Sequence, residues 1–183
     1  MKAAATPTLR AALAEFRRAN RLPADETAIT SWTRRLGPVT LRLPNFAWRR
    51  EAILAHDLHH VLTGYPCTLS GECQMAAWEF GAGRMPHWAA TWFCLPLVPL
   101  GLVWAPRRTL AAFLDGRRSR SLHESRAIDR LLAVPLQAAR LEIVATTPGA
   151  PWADRARFIL LILQACSIPL TVVTGLWLAL MAA

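Results

Sequence analysis

His56-Asp57-Leu58-His59-His60-Val61-Leu62-Thr63-Gly64 decides how this chain is read. The apolar residues Ala52, Ile53, Leu54 and Ala55 precede it, and Gly64 is a good helix stop. His56 and His60 are four apart, so on a helix they stand one turn apart on one face. Two imidazoles so placed can grip one metal ion. Glu72 follows His60 after eleven residues, beyond the turn Gly64-Tyr65-Pro66, and can return on a second helix as a third, hard ligand. Two His and one carboxylate with open positions suit Fe(II) or catalytic Zn(II). Asp57 is a fourth ligand, an acceptor behind a ligand, or a general base. Histidine pairs at this spacing also occur by chance on solvated helices; the apolar surroundings argue against that here.

His59 points about 60° or more away from the pair's centre line, which makes it a residue behind the ligands or a structural one rather than a ligand. Glu79 shares a helix face with Glu72 but lies about 10 Å further along, too far to share the ion easily. It is a residue behind the ligands, a partner for arginine, or an acid/base aimed into a pocket; the plain alternative is a solvated carboxylate.

The string H-D-x-x-H, eleven residues, then E resembles the signature of the Coq-four family of coenzyme Q (ubiquinone) biosynthesis proteins. His56, Asp57, His60 and Glu72 carry the match, with Gly64, Gly71 and Glu79 fitting around them. Gly116-Arg117-Arg118 and Pro135-Leu136-Gln137 through Arg140-Leu141 are similar to two later segments of that family. The resemblance covers residues 8–145, is specific at the motif and loose elsewhere; the tail after Thr147 departs from it. It implies a mostly helical fold, a metal site, an isoprenoid-tail lipid ligand and a membrane setting. It also implies chemistry on the ring of a polyprenylated aromatic lipid, by decarboxylation and/or hydroxylation, with Asp57 and Glu79 moving protons. The alternative is a non-catalytic scaffold presenting prenylated intermediates to other quinone-biosynthesis proteins. Structural zinc usually has four ligands, often Cys, and a site with His and carboxylate alone leans towards catalysis.

Two other enzyme classes fit less well. H-E-x-x-H metalloproteases place Glu where this chain has the shorter Asp57. Di-iron histidine-box enzymes need many more histidines than the five present, of which only His87 and His123 lie outside the motif.

The whole chain is 183 residues, enough for one domain with one core. Its 54% hydrophobic content and eight Trp against one Tyr fit an interfacial protein. The net charge of +9 rests on arginine, Lys2 being the lone lysine, as in a GC-rich genome. With a long apolar tail, such charge fits anionic lipid headgroups better than nucleic acid. Cys67, Cys73, Cys94 and Cys166 show no C-x-x-C spacing, so no disulfide framework is expected, and the N-terminus lacks the apolar core of a signal peptide.

The expected architecture is all-α: a helical bundle with the metal site between two helices, a Pro-bent apolar hairpin and a C-terminal transmembrane helix. The bundle takes 1–147, a linker 148–157 and the span 158–181. Thr6-Pro7 opens a first helix that ends near Pro23. One short extended segment is permitted at Val39-Leu41-Leu43, Asn45 caps the motif helix, and the next helix runs from Ser70 to Ala82. Residues 88–105 carry no charge but contain Pro96 and Pro99, so a membrane-embedded or interfacial hairpin is expected. Residues 158–181 are uncharged and about 36 Å long as a helix, enough to span. The ten arginines from Arg107 to Arg157 place the preceding residues, and with them the metal site, on the cytoplasmic side of a bacterial inner membrane. Arg84 favours an anionic or phenolic lipid head. Arg117 and Arg118, in a cluster with Arg120, His123 and Arg126, form either a headgroup site or a solvated loop. The sequence leaves open a homo-oligomer.

Overall fold

The computed structural model describes residues 6–25, 28–36, 39–83, 85–123, 127–145 and 147–182, with side chains up to Ser167 and outside 34–39 and 41. The chain is mostly helical, as expected. It is not all-α, because residues 31–36 and 39–44 pair as two short antiparallel strands.

Helix α1 (Leu9–Ala19) buries a stripe of Leu9, Leu13 and Arg17. Its cap is Thr8, whose hydroxyl accepts from the Ala11 amide, so the helix opens two residues later than Thr6-Pro7 implied. Pro7 instead gives its carbonyl to the Leu136 amide, tying the N-terminal segment to the end of the bundle. Strands β1 (Ser31–Leu36) and β2 (Val39–Pro44) pair with Ser31 opposite Pro44 and Leu36 opposite Val39. The expected extended segment is thus half of a hairpin whose other strand carries two arginines, which hides it from a reading of alternation. Trp32 of β1 meets the edge of Phe93 and lies under the guanidinium of Arg49.

Helix α2 (Ala47–Thr63) carries the motif and ends as expected, with Gly64 left-handed at φ 81° and its N–H on the His60 carbonyl. Asn45 is not its cap: the side chain is spent on the Ile29 carbonyl and on Arg49, and Phe46 occupies the cap position. Helix α3 (Leu69–Ala82) starts under the Thr68 hydroxyl, which accepts from the Gly71 amide. A side chain at Gly71 would collide with the Pro66 carbonyl, so the turn between α2 and α3 can close tightly only here.

Residues 88–105 form two short helices, α4 (Trp88–Cys94) and α5 (Leu97–Trp104), broken at Leu95-Pro96. The inner face of α5 belongs to the core: Val98 is buried, and Gly101 sits against Thr109 and Cys73. The outer face is exposed and aromatic, with Trp88 70% and Trp104 61% exposed. Helix α6 (Pro106–Arg117) crosses α3 so closely that a Cβ on Gly81 would lie 2.3 Å from the Phe113 carbonyl oxygen, and one on Gly116 2.1 Å from that of Trp78. Helices α7 (Ile128–Ala133) and α8 (Leu136–Ile143) close the bundle over α1 and α2, where Arg140 donates to the Val61 carbonyl.

Helix α9 (Pro151–Ala182) begins inside the stretch read as a linker. It docks on α6 through Phe158 against Phe113 and through Arg117, which donates to Asp154 at 2.9 Å. Among the described residues no helix is long and apolar enough to cross a membrane. The side chains of 168–181, the larger part of the expected span, lie outside the described residues.

Candidate metal centre

Helix α2 presents His56 and His60 on the face that meets α3, and the tight turn at Pro66–Gly71 brings Glu72 back to them. The two Nε2 atoms are 3.1 Å apart. His56 Nε2 lies 3.3 Å from one Glu72 oxygen, and His60 Nε2 lies 3.6 Å from the other.

The remaining ring nitrogens explain this convergence. His60 Nδ1–H donates to the Tyr65 carbonyl at 2.8 Å, and His56 Nδ1–H donates to Glu79 Oε1 at 3.1 Å. With each Nδ1 spent on an acceptor, both Nε2 atoms aim at one point beside a carboxylate, where a bound metal ion would displace the Nε2 protons that otherwise donate to Glu72. Two ring nitrogens this close need a proton or a metal cation between them. Burial works against a charged His56, but Glu79 and Glu72 outweigh it and hold its pKa well above the usual 6.5. Burial likewise pushes Glu72 up, yet hydrogen bonds from His56 and His60 bring it down to about 2. The pocket is thus built for positive charge. Among the described residues no cysteine joins the three; burial and the nearby Glu72 push the Cys67 thiol up to about 11.

Asp57 faces away from this point. Its carboxylate accepts from Arg17 Nε at 2.8 Å, and Arg17 also donates to the Ala24 carbonyl. Being one residue after His56 turns Asp57 about 100° around the helix. The expectation that Asp57 joins the ligands gives way to a strut between α1 and α2. Phe16 of α1 stacks on His60 at 5.5 Å and closes the same side.

Glu79 is buried, 1% exposed, and its Oε1 takes three ring contacts: His56 at 3.1 Å, His59 at 2.8 Å and His123 at 3.2 Å. Burial raises its pKa, but His56 and the hydrogen bonds from His123 and His59 hold the carboxyl well below the carboxylate range. It is therefore ionised and accepts protons' hydrogen bonds without holding a proton to give. His59 is fully buried, its pKa pushed down to about 4 by that burial. Its Nε2 accepts from the Leu122 amide at 2.9 Å, so its Nδ1 carries the hydrogen donated to Glu79. His59, Glu79 and His123 lie close enough to hold an ion. An ion on His59 Nδ1 would require that ring to lose its proton while Nε2 still accepts from Leu122, so this second group is closed by its own hydrogen bonds.

Of the arginines expected at a lipid headgroup, Arg84 lies outside the described residues. Arg117 is committed to Asp154 and the Gly81 carbonyl, and Arg118 is exposed alongside Gly149. Sequence reasoning grouped His123 with these arginines and missed its place beneath the metal centre; the signal available was its being one of only two histidines outside the motif. No protein-family model, curated protein or solved structure matches this chain.

Proposed function

We propose that this protein is a metal-dependent enzyme of the kind its motif resembles, acting on the ring of a polyprenylated aromatic lipid in ubiquinone or related quinone biosynthesis. The observation that carries the reading is the pair of pre-set imidazoles, His56 and His60, whose Nε2 atoms converge with Glu72. The donor set, two neutral nitrogens and one carboxylate without thiolate, fits Fe(II) or Zn(II) with positions left open for substrate. A bound ion would supply Lewis acidity, and Fe(II) also oxygen chemistry. The chain's own residues do the rest: Glu79 orients His56, Tyr65 orients His60, and Arg17 keeps Asp57 on the α1 side. Asp57 is paired with Arg17 and Glu79 takes three imidazoles on one oxygen, so in this reading both support the site rather than shuttle protons to a substrate.

The membrane setting rests on two surfaces. Trp88, Trp92, Phe93 and Trp104 are exposed on α4 and α5, and Ile159, Leu160 and Leu163 on α9. Trp at such density suits the headgroup region of a bilayer. With the uncharged run to Met181 as an anchor, the site faces the cytoplasmic side of a bacterial inner membrane, where a net charge of +9 meets anionic lipid.

The reading is tested in cells lacking the native protein, supplied with wild type or with Glu72→Gln, whose protein level is matched. Wild type should restore quinone. Glu72→Gln should leave a prenylated ring intermediate to accumulate, detected by mass spectrometry of lipid extracts. Full rescue by a variant shown to carry no metal would sink catalysis and leave a lipid-presenting scaffold.

A further inference from the structure

Leu122 and His123 are consecutive residues in the segment after α6, and both reach the same carboxylate oxygen. His123 does so directly, Nε2 to Glu79 Oε1 at 3.2 Å. Leu122 does so through His59: its amide donates to His59 Nε2, which obliges His59 Nδ1 to donate to Glu79 at 2.8 Å. Glu79 in turn receives the Nδ1–H of His56, whose other nitrogen faces Glu72 and His60. Taking the metal centre proposed above as premise, we infer that His123 is a positioning residue of that centre, acting through Glu79 on the orientation of His56.

Three features carry this. The two routes converge on one oxygen, so the segment fixes where that oxygen stands rather than merely touching it. The rings pack at right angles, His59 to His123 at 5.0 Å, and Trp78 packs on His59 at 4.8 Å, so His59 is held between His123, Trp78, Glu79 and the Leu122 amide. And His123 Nδ1 is buried without a partner among the described residues. A ring needed only to fill space would be Phe, with no orphaned nitrogen to desolvate. Histidine is explained by what its Nε2–H does for Glu79. The segment is held in turn by the Gly81–Gly116 crossing and by the Ser119 amide on the Gly116 carbonyl.

The test uses the purified full chain, stripped and reloaded with Co(II). Carboxylates and other groups behind a ligating histidine are typically worth 10–100-fold in metal affinity. His123→Phe should weaken Co(II) binding by about tenfold, at the low end of that range, and shift the visible d–d bands as His56 reorients. His123→Gln, whose side-chain amide can donate where Nε2 did, should recover most of the affinity and the wild-type bands. A purely structural His123 would lower the melting temperature of both variants and leave bands and affinity alone; that result overturns the inference, as does a Gln variant no better than Phe. In metal-free wild type, long-range proton–nitrogen correlation should show His59 as the Nδ1–H tautomer, and the opposite tautomer overturns the inference without reference to any metal. Wild type that takes up no Co(II) refutes the metal centre, and the His59 tautomer still reports whether the segment grips Glu79.

Discussion

Purified His60→Ala is expected to hold no stoichiometric metal. His60 supplies one of three converging donors, and its Nε2 is aimed by the Tyr65 carbonyl rather than free to rotate. Removing a donor should cost more than the roughly 10–100-fold typical of losing a group behind a donor. Elemental analysis after dialysis against trace Zn(II) or Fe(II) checks this; a full equivalent retained by His60→Ala would refute the ligand assignment. Asp57→Asn makes the contrasting case. Its carboxylate faces Arg17, so metal content should stay near wild type. The buried pair is broken, however, and Arg17 is left without its counter-charge, a loss on the order of 3–5 kcal/mol. A metal-free Asp57→Asn of wild-type stability would place Asp57 among the ligands after all. The two substitutions lie in one pentapeptide and separate chemistry from architecture.

That separation also marks what could be read from the sequence. His56, His60 and Glu72 are legible because helical spacing and a short glycine-bounded turn bring them together locally. His59 and Glu79 are legible only as residues behind the ligands, and Asp57 not even as that, since each is decided by a partner 40 to 63 positions away: Arg17 on α1, the Leu122 amide, the His123 ring. Asp57 looked like a ligand because adjacency in sequence says nothing of a helix's 100° step until a partner is known. Arg117 looked like a headgroup anchor because an arginine cluster shows its charge in the sequence and its partner, Asp154 on α9, only in the fold. Only β2 is legible in the strand pair: its apolar residues alternate, while Arg34 and Arg35 in β1 mask the partner. Asn45 has the residue type of a cap, and the fold spends it on Ile29 and Arg49 instead.

Gly116→Ala should be one of the most damaging small substitutions among the described residues, and it should reach the metal centre from outside it. The added methyl would lie 2.1 Å from the Trp78 carbonyl oxygen and 3.0 Å from the Ala82 amide nitrogen, both backbone atoms of α3. Backbone in the middle of a helix cannot step aside as a flexible side chain can, so α3 and α6 must part. Overpacking of this kind costs about 3 kcal/mol or more. For a chain of this size that is a fall in melting temperature of roughly 6–12 °C. Gly81→Ala meets the Phe113 carbonyl at 2.3 Å across the same crossing and should act alike. Combining the two should fall short of the sum, because one separation of the helices relieves both clashes. The separation moves the residues that follow α6, and these hold His59 and Glu79. Metal affinity should therefore drop alongside stability, although Gly116 touches no ligand. Thermal denaturation with and without Co(II) reads both at once: in wild type the ion should raise the melting temperature, and in Gly116→Ala that increment should shrink as well as the baseline. An unchanged increment on a lowered baseline would mean that the crossing supports the fold but leaves the geometry of His56 to α2 alone.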